Sequence, residues 1–343
     1  MASIAVDVMS GDSGAQELIP GALLALGHDP DLELILVGKP DVIEPVLAAA
    51  PAAVRARVTV HPAATVVGMS EHPREAIRKR KDSSMRLAID LVKEGRAGAM
   101  VSAGNTGALT AISHFVLKTV GPVERAPIMS AVPARNGGHT HMLDLGANTK
   151  ASAIQLAQFA TMGSIVARDV FGVANPRVGL LNIGEEDTKG HEIVQEAHEL
   201  IRAGGVNYLG FVEGNNIFDE SVDVVVTDGF TGNVALKSME GLAKLIVEQL
   251  RTEFTRDLRS KLSGLLARPV LRRVGEKLDP RRYNGACMVG LTAVVVKSHG
   301  SADRVAFAQA VATAATAMRR GLPAAIASAL AKSRTADVER LSS

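Results

Sequence analysis

Cysteine is almost missing from this 343-residue chain. Cys287 stands alone, which excludes an intramolecular disulfide and any cysteine-based zinc cluster and suits a reducing compartment. Tryptophan is absent and aromatics make up 3% of the residues, against the stacking platforms on which single-strand nucleic-acid binders depend. Charge of one sign is also lacking: the formal net charge is +2, so no nucleic-acid partner is expected. No uncharged apolar run reaches the roughly 18 residues needed to cross a bilayer, and the segment Met1–Asp12 has neither a basic start nor a long apolar centre. A cytoplasmic protein is the expectation. With 47% hydrophobic and 22% charged residues, the composition is that of a globular chain with ample core.

Short β-branched runs recur at 4–8, 34–37, 58–60, 99–101, 142–145, 178–183, 222–227 and 291–296, most of them ending at or near glycine. Between them lie stretches whose apolar residues recur at three and four, at 84–94, 106–118, 151–171, 191–203 and 231–250. This alternation predicts a doubly wound α/β fold with a mostly parallel sheet. No linker or repeat divides residues 1–343, so one domain is expected, with peripheral helices or loops near 48–53 and 322–331. The stretch 251–282 differs. Between Arg251 and Asp279 eight Lys/Arg face four Asp/Glu, and Phe254, Leu258, Leu262, Leu265 and Leu266 recur at helical spacing. Pro269 is read as breaking the run, and Val270, Val274 and Leu278 as resuming it, which gives a basic helical hairpin inserted as a tip. Such a tip suits an anionic membrane, an acidic carrier protein or a subunit contact.

In open parallel sheets ligands bind beyond the carboxyl ends of strands, where helix amino ends offer free N–H groups. Three junctions qualify: Met100–Thr110 with Gly104, Asn105, Thr106 and Gly107; Val224–Lys237 with Asp228, Gly229, Gly232 and Asn233; and Val294–Asp303 with Ser298 and His299. Each is also ordinary turn chemistry. None carries a nucleotide-binding fingerprint, which favours a small anion. Arg80 and Lys81 precede the cap-like run Asp82–Ser84, and Lys189 follows Gly184, Glu185 and Glu186 at another helix start. No G-x-S-x-G elbow occurs, and Cys287 reads as a buried inert thiol. His139 and His141 alternate on a strand ahead of Asp144; without an H-E-x-x-H pattern they read as structural polar contacts, and no metal or cofactor is called for. If phosphate is itself the nucleophile, backbone N–H groups, Lys and Asn suffice.

The segments IAVDVMSGD, KDSSM, VSAGNTGAL, LDLGAN, QFATMGS, NPRVGLLNIGEEDTKG, DVVVTDGFTGNVALK and VVVKSHGS, in this order, resemble the bacterial phosphate acyltransferases of phospholipid synthesis, the PlsX family. The likeness spans nearly the whole chain. It differs at Met9–Asp12, where a GGD-type turn is usual, and at Asn284–Gly290, where GGAPLLG is usual. The resemblance implies a sandwich similar to phosphotransacetylases and isocitrate dehydrogenases. It implies an enzyme converting acyl-[acyl carrier protein] and inorganic phosphate to acyl phosphate and free carrier, and a homodimer that feeds a membrane glycerol-3-phosphate acyltransferase. By motif, Lys189 and Asn233 become candidates for oxyanion and phosphate stabilisation. Lys81, Ser83, Asn105, Thr106, Gly107, Gly232 and His299 become candidates for phosphate or substrate binding. Alternatives within and beyond the fold are a phosphate acetyl- or butyryltransferase using acyl-coenzyme A, a β-decarboxylating dehydrogenase, and a noncatalytic membrane scaffold.

Overall fold

The β-branched runs pair side by side, because residues buried on both faces satisfy their backbone groups only in a ladder. In the computed structural model, which describes residues 2–277 and 279–341, the strands are β1 (Ala2–Asp7), β2 (Leu32–Gly38), β3 (Val58–Pro62), β4 (Ala99–Ser102), β5 (Ile128–Pro133), β6 (His139–Leu143), β7 (Val178–Leu181), β8 (Tyr208–Val212), β9 (Val224–Val226), β10 (Ala286–Met288) and β11 (Val294–Lys297). They form one sheet in the order β3-β2-β1-β4-β11-β10-β5-β6-β9-β7-β8. Strands β5, β8 and β10 were not expected. The last is three residues, Ala286–Met288, too short to show a period.

The helices are α1 (Gly14–His28), α2 (Pro40–Ala48), α3 (Ala52–Arg55), α4 (Pro73–Lys79), α5 (Ser84–Lys93), α6 (Thr106–Leu117), α7 (Ala153–Asp169), α8 (Glu192–Ala203), α9 (Gly229–Thr255), α10 (Leu258–Lys277), α11 (Arg304–Arg319) and α12 (Leu322–Leu341). Side chains of α1, α7, α8, α11 and α12 build one core with Ile4, Val6, Val101 and Val296. Those of α4, α5, α6 and α9 build the other with Ala5, Met100, Met142 and Val295. Alternate residues of a strand face opposite sides, so the expected three-layer α/β/α sandwich results.

The sheet reverses direction at its centre. β10 is antiparallel to both β11 and β5, and β5 is antiparallel to β6, while β6, β9, β7 and β8 are parallel. The carboxyl ends of β1, β4 and β11 therefore lie on the opposite edge from those of β6, β9 and β7.

The tip also departs from expectation. The hairpin is not 251–282 but α9 against α10, turning at Arg256 and Asp257, so its first arm starts at the sheet itself. Phe254 packs over Gly264 between the arms. Pro269 lies inside α10, where helix continues on both sides, and Leu278 falls outside the described residues. Among the described residues no helix is long and apolar enough to cross a membrane.

Candidate functional site

Register brings three polar side chains into one row. Asp7 on β1 is opposite Ser102 on β4, and Ser102 is opposite Lys297 on β11. Alternation from Ala5, Met100 and Val295 puts all three on the side of α5, α6 and α9. Asp7 and Ser102 are fully buried. The Asp7 carboxylate accepts the Ser10 hydroxyl at 2.5 Å and the Ser102 hydroxyl at 2.7 Å, and Ser102 Oγ accepts the Gly104 N–H at 3.1 Å. Lys297 Nζ donates to the carbonyls of Ala103, at 3.4 Å, and Ser298. Burial lowers its pKa to about 8; Asp12 and Asp7 oppose the shift and Lys237 adds to it.

The amino end of α6 opens beside this row. Asn105 caps it, its Oδ1 accepting the Ala108 N–H at 3.0 Å while its amide donates to the carbonyls of Met69, at 2.8 Å, and Glu71, at 3.0 Å. The N–H groups of Thr106 and Gly107 have no protein acceptor among the described residues, as the first turn of a helix leaves them. His299 closes the other side. Its Nδ1 meets the Ser301 hydroxyl at 2.9 Å, and Nε2 lies 3.9 Å from Glu240 on α9. Burial lowers the His299 pKa, against the pull of Glu240. Asn284, two residues before β10, fixes this turn: its amide donates to Ser298 Oγ at 2.8 Å and the Ala306 carbonyl at 2.7 Å, and its Oδ1 accepts the His299 N–H at 2.9 Å.

A second cluster forms on the opposite edge, at the ends of β6, β9 and β7. Asp144 is buried and gathers N–H groups of Ile128, Gly146, Ala147 and Asn148 together with the Asn148 amide; burial pushes its pKa up, while these donors pull it down. Asp228 caps α9 by accepting from the N–H groups of Phe230 and Thr231. Gly232 touches the chain here: a Cβ on it would stand 2.0 Å from the Asp144 carbonyl oxygen, so only glycine lets α9 start this close. Asn233 follows, exposed beside Gly146. In the next turn Asn182 donates to the Lys189 carbonyl at 3.1 Å, and the Lys189 ammonium is exposed without an ion-pair partner among the described residues.

Helix α9 joins the clusters across the sheet face. Asn233, Lys237, Glu240 and Lys244 share one stripe of it, running from Gly146 to His299. Lys189 stays apart, because β7 is five strands from β11, or about 24 Å at the usual spacing.

The fatty acid synthesis protein family model matches residues 2–325. The phosphate acyltransferase of Alkalilimnicola ehrlichii is 51% identical over 321 residues, covering 94% of each chain, and that of Methylococcus capsulatus is 51% identical over 323 residues, covering 94% of this chain and 95% of its own. The chain belongs to this family. Among solved structures, phosphotransacetylases share the fold: that of Streptococcus pyogenes has a TM-score of 0.61 at 16% identity, covering 93% of this chain and 94% of its own, and the Staphylococcus aureus EutD enzyme has 0.59 at 13%, covering 92% and 94%.

Within this family member, Asn105, Thr106, Gly107 and His299 come together at the first cluster and Gly232 and Asn233 at the second, while Lys189 lies in the turn after β7, its side chain beside Gly184. Ser83 is a buried cap of α5: its hydroxyl donates to the Arg80 carbonyl at 2.7 Å and accepts the Arg86 N–H at 3.3 Å. Lys81 is exposed two residues before it. Cys287 is buried with its thiol pushed up to about 12 by burial. The expected polar contacts of His141 are missing. Both its ring nitrogens are buried without partners, since it packs instead against the rings of His139 and Phe171. Reading the sequence missed Asp7, Ser10, Ser102, Asn284 and Lys297. The available signal was a charged or polar residue closing an apolar strand, as in VVVK.

Proposed function

We propose that this phosphate acyltransferase takes its acyl group from a thioester of acyl carrier protein and passes it to inorganic phosphate, releasing acyl phosphate and free carrier. The observation that carries the reading is the pair of uncommitted N–H groups on Thr106 and Gly107 beside Lys297. A helix amino end and a cation held out of water favour a small dianion over a neutral ligand. The buried, strongly basic thiolate form of Cys287 speaks against an acyl-cysteine. Phosphate then attacks directly, and the polar groups around it hold it against the thioester.

Lys189 and Asn233 keep their part as stabilisers of the oxyanion and phosphate. Within one chain Lys189 stands too far from His299 to share a ligand with it. The reading therefore includes a homodimer, in which the second cluster of one subunit meets the first cluster of the other. The α9 and α10 tip, with Leu242, Leu245, Val247, Leu258, Leu262 and Leu266 exposed among basic residues, is assigned to an anionic membrane surface. There acyl phosphate would be handed to a glycerol-3-phosphate acyltransferase.

The test incubates pure protein with acyl carrier protein thioester and phosphate and follows free carrier thiol and hydroxylamine-trapped acyl phosphate. Both should appear, and Lys189→Ala and Asn233→Ala should each lower turnover by about 10²-fold or more. Turnover confined to acyl-coenzyme A would replace this reading by the coenzyme A alternative.

A further inference from the structure

We propose that Lys297 is the acid of the reaction, giving its proton to the sulfur of the departing carrier thiolate. The assignment rests on phosphate occupying the amino end of α6. Lys297 ends β11, and its Nζ holds the carbonyl of Ala103 immediately before that helix turn, as well as the Ser298 carbonyl before His299. It thus stands between the turns where phosphate and thioester must meet. It forms no ion pair among the described residues, so its proton is not committed to a carboxylate.

The charged groups that act on it come from several elements: Asp7 on β1, Asp12 in the turn before α1 and Lys237 on α9, while Glu240 and Lys244 on α9 act on His299 in its own turn. Withdrawal from water, helped by Lys237, outweighs the two carboxylates and brings the amine near the acidity of an alkyl thiol. A donor so matched transfers its proton with little thermodynamic cost in either direction.

The step balances. An oxygen of monohydrogen phosphate forms a bond to the thioester carbon, the C–S bond breaks with its electron pair on sulfur, and Nζ protonates that sulfur. The proton still on the newly bound phosphate then returns to the neutral amine. One carrier thiol and one acyl phosphate dianion leave, and Lys297 is again an ammonium.

The experiment compares two thioesters of one fatty acid, on the carrier and on thiophenol, whose far more acidic thiol departs without a proton. At saturating phosphate, Lys297→Met should lower kcat on the carrier thioester by about 10²-fold more than on the phenyl thioester, since both lose the phosphate-facing charge but only the first loses its acid. In the unmodified protein kcat should fall as pH rises through about 8, and Lys297→Arg, which keeps the charge but holds its proton, should lose that limb. Equal losses on both thioesters, or a limb that survives in Lys297→Arg, would overturn the assignment. Acyl phosphate missing with the unmodified protein would instead overturn the reaction on which it stands.

Discussion

Asp7 and Ser102, 95 positions apart in sequence, share a 2.7 Å hydrogen bond across two adjacent parallel strands. The bond fixes the carboxylate beside Lys297 and ties the first strand to the turn that opens α6.

Removing this charge should move the pH profile in a definite direction. Asp7 favours the ammonium form of Lys297, so Asp7→Asn should lower the lysine pKa and shift the alkaline limb of kcat to lower pH. The amide still accepts from Ser10 and Ser102, so urea unfolding should show a loss of about 1–3 kcal/mol rather than collapse. An unmoved limb would detach Asp7 from the chemistry.

A composite site predicts complementation. Lys189→Ala and His299→Ala should each be nearly inactive alone. Subunits mixed and allowed to exchange should regain a substantial share of turnover, since each hybrid keeps one intact pairing of clusters. Mixtures as inactive as their components would confine the reaction to a single chain.

Much of this was legible in the sequence, and the failures have physical causes. Long β-branched runs such as Val222–Thr227 announced strands because both faces are buried. β8 hid its character behind Gly210, and β10 behind its length. The turn at Gly104–Gly107 was readable because caps and glycines act locally. The row of Asp7, Ser102 and Lys297 was not, since it exists only after three distant strands fall into register. Nor does spacing reveal that the sheet reverses direction between Lys297 and Lys189.

His141 makes the protein sensitive to acid. Burial holds its pKa at about 3, well below its unfolded value, so it is neutral in the fold and stabilises it fully only above the unfolded pKa of about 6.5. Stability should fall as pH drops from there toward 3, by on the order of 2 kcal/mol at pH 5. His141→Phe should flatten this slope in urea titrations at pH 5 and pH 7. An unchanged slope would place the acid response elsewhere.

At the tip, Arg272 is exposed and, among the described residues, salt-bridged only within its own helix, to Glu276 at 2.9 Å. Reversing charge with Arg272→Glu and Arg273→Glu should weaken sedimentation with anionic vesicles, most strongly at low salt, because screening already reduces the attraction at high salt. Binding to neutral vesicles should change little. Equal binding of both proteins to anionic vesicles at low salt would remove the basic face from membrane contact.

Helix α9 is a single unbroken rod of 27 residues, about 40 Å long. Its base is wedged against the Asp144 carbonyl through Gly232, its middle passes His299, and its far end is the tip. A pivot of about 5° at that wedge swings the far end by about 3–4 Å over such a length. A force applied at the tip therefore changes the slant of the whole rod, and with it the gap between Glu240 and His299, so the tip and the His299 turn are joined by one lever.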